Sequence, residues 1–152
     1  MMIKNIIQLS LFITIAIIVS ACASKPTHLE LVIKSTNRIN LDNDNISSPL
    51  MLNFYELDSA EQFSKLDYWT LLDHGTDRLN SDLISQNKHI IIPSEEQIYK
   101  ILFDEKAKFI GIIGNFRKLD ANSTWKYVIN LEDKTHNYVE LQIDGYEIKE
   151  FE

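Results

Sequence analysis

Four imidazoles, one thiol and 22 carboxylates are the side chains of this 152-residue chain that could do chemistry. The imidazoles belong to His28, His74, His89 and His136. None stands at the spacing of two ligands on one helix or one strand, so no zinc site is expected. Asp42-Asn43-Asp44-Asn45-Ile46 begins as a calcium loop does. Ser47 stands where such a loop turns on glycine, and Asn53 where it closes on glutamate. That argues against an EF-hand and leaves weak calcium binding by the aspartates as an open alternative. Gly111-Ile112-Ile113-Gly114 lies inside an apolar run rather than at a strand-to-helix turn, so it is no dinucleotide fingerprint. The carboxylates have no recognisable catalytic partner, and a solvated acidic surface accounts for them. Neither a catalytic constellation nor a metal or cofactor site is expected, which favours a binding or structural role over an enzyme.

The thiol, Cys22, is the one group with a chemically specific setting. Ahead of it lie Lys4 and a segment, Ile6 to Val19, that is apolar apart from Gln8, Ser10 and Thr14. Small residues, Ser20 and Ala21, come just before it. A basic start, a short apolar core and small residues make a secretory signal peptide. The core falls short of the roughly 20 residues of a membrane span. Val19-Ser20-Ala21-Cys22 resembles the lipobox of bacterial lipoproteins. There the cysteine thiol is diacylated, the signal is cut before it, and the new amine is acylated. On that reading residues 1–21 are a signal peptide, residues 22–27 a lipidated tether, and residues 28–152 one domain. The lipid on Cys22 is then the only non-protein group. A lone cysteine in an exported chain has no disulfide partner, and acylation accounts for it. Two or more acyl chains anchor stably where one holds only marginally. Ala23 after the cysteine reads, in the lipoprotein sorting scheme, as an outer-membrane address, with the domain in the periplasm. Cleavage removes Lys4 and leaves 131 residues carrying 14 basic and 22 acidic side chains, a formal −8. Such a surface argues against nucleic acid and against charge-driven binding to an anionic bilayer.

The rest of the chain reads mainly as strands. His28 to Lys34 alternates, with Leu29, Leu31 and Ile33 on one face. Ser35 to Pro49 reads as a polar loop. Leu50 to Leu57 is apolar on both faces and so central. Ser59-Ala60-Glu61-Gln62 matches a capping box and opens a helical insertion. Its apolar stripe is Phe63, Leu66, Trp69 and Leu72, Asp67 restarts a second short helix, and Gly75 is the expected stop. Lys88 to Ile92 is a strand closing on Pro93. Local rules allow a helix over Gln97 to Phe103, because Ser94-Glu95-Glu96-Gln97 is a second formal capping box. Composition and length favour a strand there. Phe109 to Phe116 reads as a strand buried on both sides, with Gly111 and Gly114 where something large comes close. Trp125 to Leu131, Tyr138 to Ile143 and Tyr146 to Phe151 are further strands, the last two joined at Asp144-Gly145. Seven to eight short strands with a helical insertion after the second give a mainly β fold, an antiparallel β-sandwich.

Several of these patterns, in this order, resemble the TssJ lipoprotein family of the type VI secretion system. They are Ser35-Thr36-Asn37-Arg38-Ile39-Asn40, then Ser48-Pro49-Leu50-Met51-Leu52-Asn53-Phe54-Tyr55-Glu56-Leu57 with its Tyr-x-Leu ending. Phe63 with Asp67-Tyr68-Trp69-Thr70-Leu71-Leu72 follows, then the strand closing on Pro93, then Phe109-Ile110-Gly111-Ile112-Ile113-Gly114-Asn115-Phe116-Arg117 with Trp125 after it. Gly114 and Asn115 stand where that family commonly has alanines. The resemblance implies a transthyretin-like sandwich and a non-enzymatic outer-membrane lipoprotein. It implies a partner, the periplasmic C-terminal domain of a TssM (IcmF-like) inner-membrane component, with other subunits of the same membrane complex as further candidates. It also implies a partner-binding loop, here Arg38-Ile39-Asn40-Leu41-Asp42-Asn43-Asp44-Asn45-Ile46-Ser47-Ser48, presenting Ile39, Leu41 and Ile46 amid polar residues. The alternative from another class is a periplasmic ligand-binding or hydrolase-inhibitor lipoprotein using the helical face or a strand edge.

Overall fold

A computed structural model describes residues 25–119 and 123–151. Cys22, the signal segment and the first part of the tether lie outside them. The strands β1 (His28–Ile39), β4 (Glu96–Leu102), β7 (His136–Gly145) and β8 (Glu147–Glu150) form one sheet in the order β4-β1-β7-β8. The strands β2 (Leu50–Leu57), β3 (Leu83–Ile91), β5 (Phe109–Gly114) and β6 (Lys126–Asn130) form the other, in the order β3-β2-β5-β6. Two short helices, α1 (Glu61–Lys65) and α2 (Tyr68–Leu79), and a one-turn 3-10 helix (Asn80–Asp82) join β2 to β3. Among the described residues no helix is long and apolar enough to cross a membrane.

Strand β2 is apolar on both faces because both faces are covered. Side chains alternate across a strand. Leu50, Leu52 and Phe54 enter the space between the sheets, with Leu29, Leu31 and Ile33 of β1, Ile110 and Ile112 of β5, and Leu141 and Ile143 of β7. Tyr55 and Leu57 face the other way and meet Phe63, Tyr68, Leu71 and Leu79 of the helices and Ile113 of β5. The helices therefore add a third layer on the β2 sheet, and among the described residues no helix covers the outer face of the β1 sheet.

Four local expectations are corrected. The chain beyond Lys34 is not yet loop: β1 runs on to Ile39, where it pairs with Gly145 after a bulge. The polar Thr36 is held there by donating to Asp144 Oδ1 at 2.7 Å. Next, β1 and β7 pair in parallel while every other pairing is antiparallel. Alternation encodes which face a residue takes, not the direction of its neighbour. The capping boxes do not form either. Ser59 Oγ accepts from Glu61 N at 3.3 Å, but Ala60 is the cap residue and has no side-chain bond. Ser94 turns the chain at φ 64, and Glu96–Leu102 is the strand that composition and length favour.

The fourth correction concerns the helical stripe. The chain turns at Leu66, so the three-residue spacing breaks, and Trp69 is 65 % exposed. Asp67 restarts the helix by accepting from Thr70 N at 3.0 Å, as its position before a helical run predicts. The buried face of α2 is Tyr68, Leu71, Gly75 and Leu79. Gly75 does not stop the helix. It lies mid-helix against the Tyr55 ring, where a Cβ would come within 3.4 Å. Tyr55 then reaches α2 and donates to Leu71 O at 3.1 Å, and burial pushes its phenol up to about 12. Gly111 meets the expectation of close approach: a Cβ there would sit 2.6 Å from the Phe63 ring.

Candidate functional site

The β1–β2 connection is a small hydrogen-bonded structure rather than a slack loop. Asp42 organises its tip. Its Oδ1 accepts from Asp44 N and Ile46 N, each at 2.9 Å, while its own N–H donates to Ile46 O at 2.9 Å. Aspartate folds a turn in this way when its carboxylate takes backbone donors further along the chain. Asn45 completes the turn at φ 59, a conformation that asparagine tolerates. Ser48 N and the Ser47 hydroxyl both donate to Ile39 O, closing the base.

Asn40 fastens that base to the domain. It is buried, has φ 47, and its N–H donates to Gly145 O at 2.9 Å. Its Nδ2 donates to Pro49 O and its Oδ1 accepts from Arg117 N, both at 2.9 Å. One side chain thereby links the two ends of the loop and the β5–β6 connection. The Tyr146 hydroxyl adds a bond to Leu41 O at 2.9 Å.

The predicted residues therefore divide. Ile39 is fully buried, and Asn40 and Leu41 are buried. Asp42, Ser47 and Ser48 are half-buried, while Arg38, Asn43, Asp44, Asn45 and Ile46 are exposed. Of the three apolar side chains expected to be presented, only Ile46, 61 % exposed, faces solvent. Ile39 and Leu41 close the sandwich end instead. Beside the loop a groove of about 430 Å³ is lined by Arg38, Leu41, Ser123, Asp144, Tyr146 and Glu147. The β7–β8 turn thus shares the loop's surface, which the sequence reading missed. So was the role of Asn40. Its signal was an asparagine ending an alternating strand, where a left-handed residue makes the corner.

The loop and the tether lie at opposite poles. Thr27 bonds Phe103 N through its carbonyl and Lys134 N through its hydroxyl at one end of the sandwich. The 12 residues of β1 separate it from the loop, about 40 Å at roughly 3.3 Å per residue. Two histidines distant in sequence meet: His28 and His136 are register partners and stack at 4.6 Å with planes 17° apart. Stacked rings hold their nitrogen lone pairs side by side instead of converging on one point. Among the described residues no group of three or more His, Cys, Asp or Glu side chains could hold a metal ion.

Comparison with known proteins bears on both fold and site. No curated protein matches the chain. Among solved structures it is similar to the T6SS lipoprotein TssJ1 from Pseudomonas aeruginosa, at 25 % identity and a TM-score of 0.77, over 82 % of this chain and 94 % of that one. It is similar to Serratia marcescens Lip, a membrane-bound component of the type VI secretion system, at 16 % identity and a TM-score of 0.76, over 84 % and 99 %. A third similar chain comes from the structure of the T6SS protein TssM C-terminal domain (869–1107) from EAEC, at 23 % identity and a TM-score of 0.69, over 83 % and 98 %. These latter two establish the fold alone. The profile of the type VI secretion lipoproteins (VasD, EvfM, TssJ) matches residues 27–146. With most of its length matched by that profile and its sandwich shared with TssJ1, the chain belongs to the type VI secretion lipoprotein family, whose members are structural lipoproteins and not enzymes.

Proposed function

We propose that this protein is the outer-membrane anchor of a type VI secretion membrane complex. Residues 1–21 direct export, acyl chains on Cys22 hold the outer membrane, and the domain hangs in the periplasm. The segment Arg38–Ser48 binds the periplasmic C-terminal domain of a TssM-like inner-membrane component, and other subunits of the complex dock around it. The observation that carries this reading is the polarity of the sandwich. The tether leaves one end, and a prebuilt loop with an exposed Ile46 stands at the other. A rigid strand between them transmits tension from lipid to partner.

The test is binding of the domain from Ala23 onward to the periplasmic domain of the cognate inner-membrane component. It runs beside a variant lacking Asn43–Asn45, the exposed tip, because deletion through Asn40 would also remove a buried staple. Binding lost with the tip at unchanged circular dichroism is the expected result. A complex retained without the tip overturns the site. In cells Cys22→Ser is expected to leave a folded protein that no longer fractionates with membranes.

A further inference from the structure

The sandwich interior is mostly leucine and isoleucine, with aromatic rings among them, and turns polar along one side. Strand β3 is an edge of one sheet and β4 an edge of the other, and the two follow one another in the chain. The pairing sets Ser85, Asn87 and His89 opposite Glu56, Phe54 and Leu52. Since Leu52 and Phe54 face inward, alternation turns all three polar side chains toward the gap between the sheets. Tyr99 faces them from the other sheet, paired with the inward Leu31. Between lies a cleft of about 290 Å³, floored by Phe103 and Ile110.

Two features of its wall stand together. Three rings make one side: His89 lies 4.6 Å from both Phe54 and Tyr99, and Phe54 meets Tyr99 at 5.4 Å. Burial pushes the His89 imidazole down and the Tyr99 phenol up, so both rings favour their neutral forms. Glu56 makes the other side. Its Oε1 accepts from Asp104 N and its Oε2 from the Ser85 hydroxyl, each at 2.7 Å. Among the described residues no cationic side chain pairs with it. Lys100, at the mouth, is paired with Glu30 at 3.7 Å on the outer face. The Asn87 amide has no hydrogen-bond partner among the described residues.

A carboxylate without a counter-charge beside aromatic rings is the chemistry that selects an organic cation. The rings attract it electrostatically, and the carboxylate takes a charge-assisted hydrogen bond. We propose that this cleft binds a small primary amine carrying an apolar body, its ammonium on Glu56 and its body among Phe54, His89 and Tyr99. The cleft lies at roughly the lower end of the size range of small-molecule sites, which limits the body to a single ring or short chain. The inference does not depend on the anchoring role, since the cleft opens along the side of the sandwich and not at its loop pole.

The experiment titrates the isotope-labelled domain from Ala23 onward, which holds every described strand and helix, with four probes. Phenethylamine is the candidate. Phenylpropionate and 2-phenylethanol are its anionic and neutral counterparts, and ethanolamine is the head without the ring. Phenethylamine is expected to move the backbone resonances of Ser85, Asn87 and Tyr99 saturably. The other probes are expected to need at least about tenfold more ligand, the scale of one cation–π contact with an ion-paired head. Glu56→Gln is expected to abolish the preference for amine over alcohol. Asn87→Ala, at an exposed position, gives a second readout should Glu56→Gln unfold, and weakens the amine alone. Equal responses to the three phenyl probes, equal response to ethanolamine, or no response to any probe each overturns the proposal.

Discussion

Ile46→Ala separates a loop that grips a partner from one that merely packs. Ile46 keeps 61 % of its surface in solvent, whereas Ile39 and Leu41 keep 0 % and 8 %. Burying an isoleucine completely is worth about 1.5–3 kcal/mol. With some six-tenths left to bury and one carbon retained by alanine, the substitution removes about 1–1.5 kcal/mol from a complex that covers the loop. That is a rise of about 5- to 10-fold in Kd. The free domain is expected to change by less than about 0.5 kcal/mol, as at other surface positions, because both bonds between Ile46 and Asp42 use the Ile46 backbone. Asn40→Ala is the opposite case. It strips the partners from Pro49 O and Arg117 N, about 1–3 kcal/mol for each group left buried and unpaired. It also asks alanine to hold φ 47, about 1 kcal/mol more. Calorimetric titration with the partner's periplasmic domain reads affinity, and urea unfolding followed by tryptophan fluorescence reads stability. Wild-type affinity in both Ile46→Ala and Ile46→Asp would refute the loop as the gripping surface.

Three further outcomes are expected. Gly111→Ala places a methyl 2.6 Å from the Phe63 ring, so thermal unfolding should show a loss of about 1–3 kcal/mol from overpacking, partly rescued by Phe63→Leu. A full-stability Gly111→Ala would mean that α1 is not seated as described. Lys126→Met keeps an apolar stem but removes the ammonium that donates to Phe63 O, Ser64 O and Leu66 O at the end of α1. Denaturant unfolding should show a cost of about 1–3 kcal/mol for carbonyls left without a donor. Asp67 is held below the usual carboxylate range, first by the Thr70 hydroxyl and then by the Thr70 N–H. A depressed folded value means that its stabilisation is present above the unfolded value of about 4 and fades as pH falls through the folded one. Asp67→Asn should therefore flatten the acid side of the stability–pH profile, and an unchanged slope would deny the cap.

How much of the fold is legible in the sequence follows from what each pattern encodes. Strand faces were legible because alternation is set by the pleat: Leu29, Leu31 and Ile33 lie where a period of two puts them. The doubly apolar Leu50–Leu57 was legible as central for the same reason. Direction was not, because nothing in the alternation of His28–Ile39 or His136–Gly145 says that they run in parallel. The helical stripe failed where one backbone turn at Leu66 reset the phase, which residue spacing alone does not register. In the candidate site, composition marked a polar loop with three apolar residues but could not tell which of them the sandwich claims. That depends on Asn40, a polar residue that is buried because three backbone groups far apart in sequence converge on it.

The burial of Asn40 bears on what the loop can do. A slack segment loses roughly 1–2 kcal/mol of backbone entropy for each residue ordered on binding, and a few contacts around one isoleucine would not offset that. Here the ordering happens when the domain folds. Asp42 fixes the tip, Ile39 O ties the base, and Asn40 and Tyr146 moor both to the sandwich. The backbone groups used in those bonds are closed to a partner, so on the proposed role recognition would fall to the side chains left outward: Arg38, Asn43, Asp44, Asn45 and Ile46. One apolar anchor within a polar rim is enough for a specific contact when its frame is already rigid. Ile39 and Leu41, which the interior claims, serve the third apolar side chain: they hold the frame from which Ile46 projects.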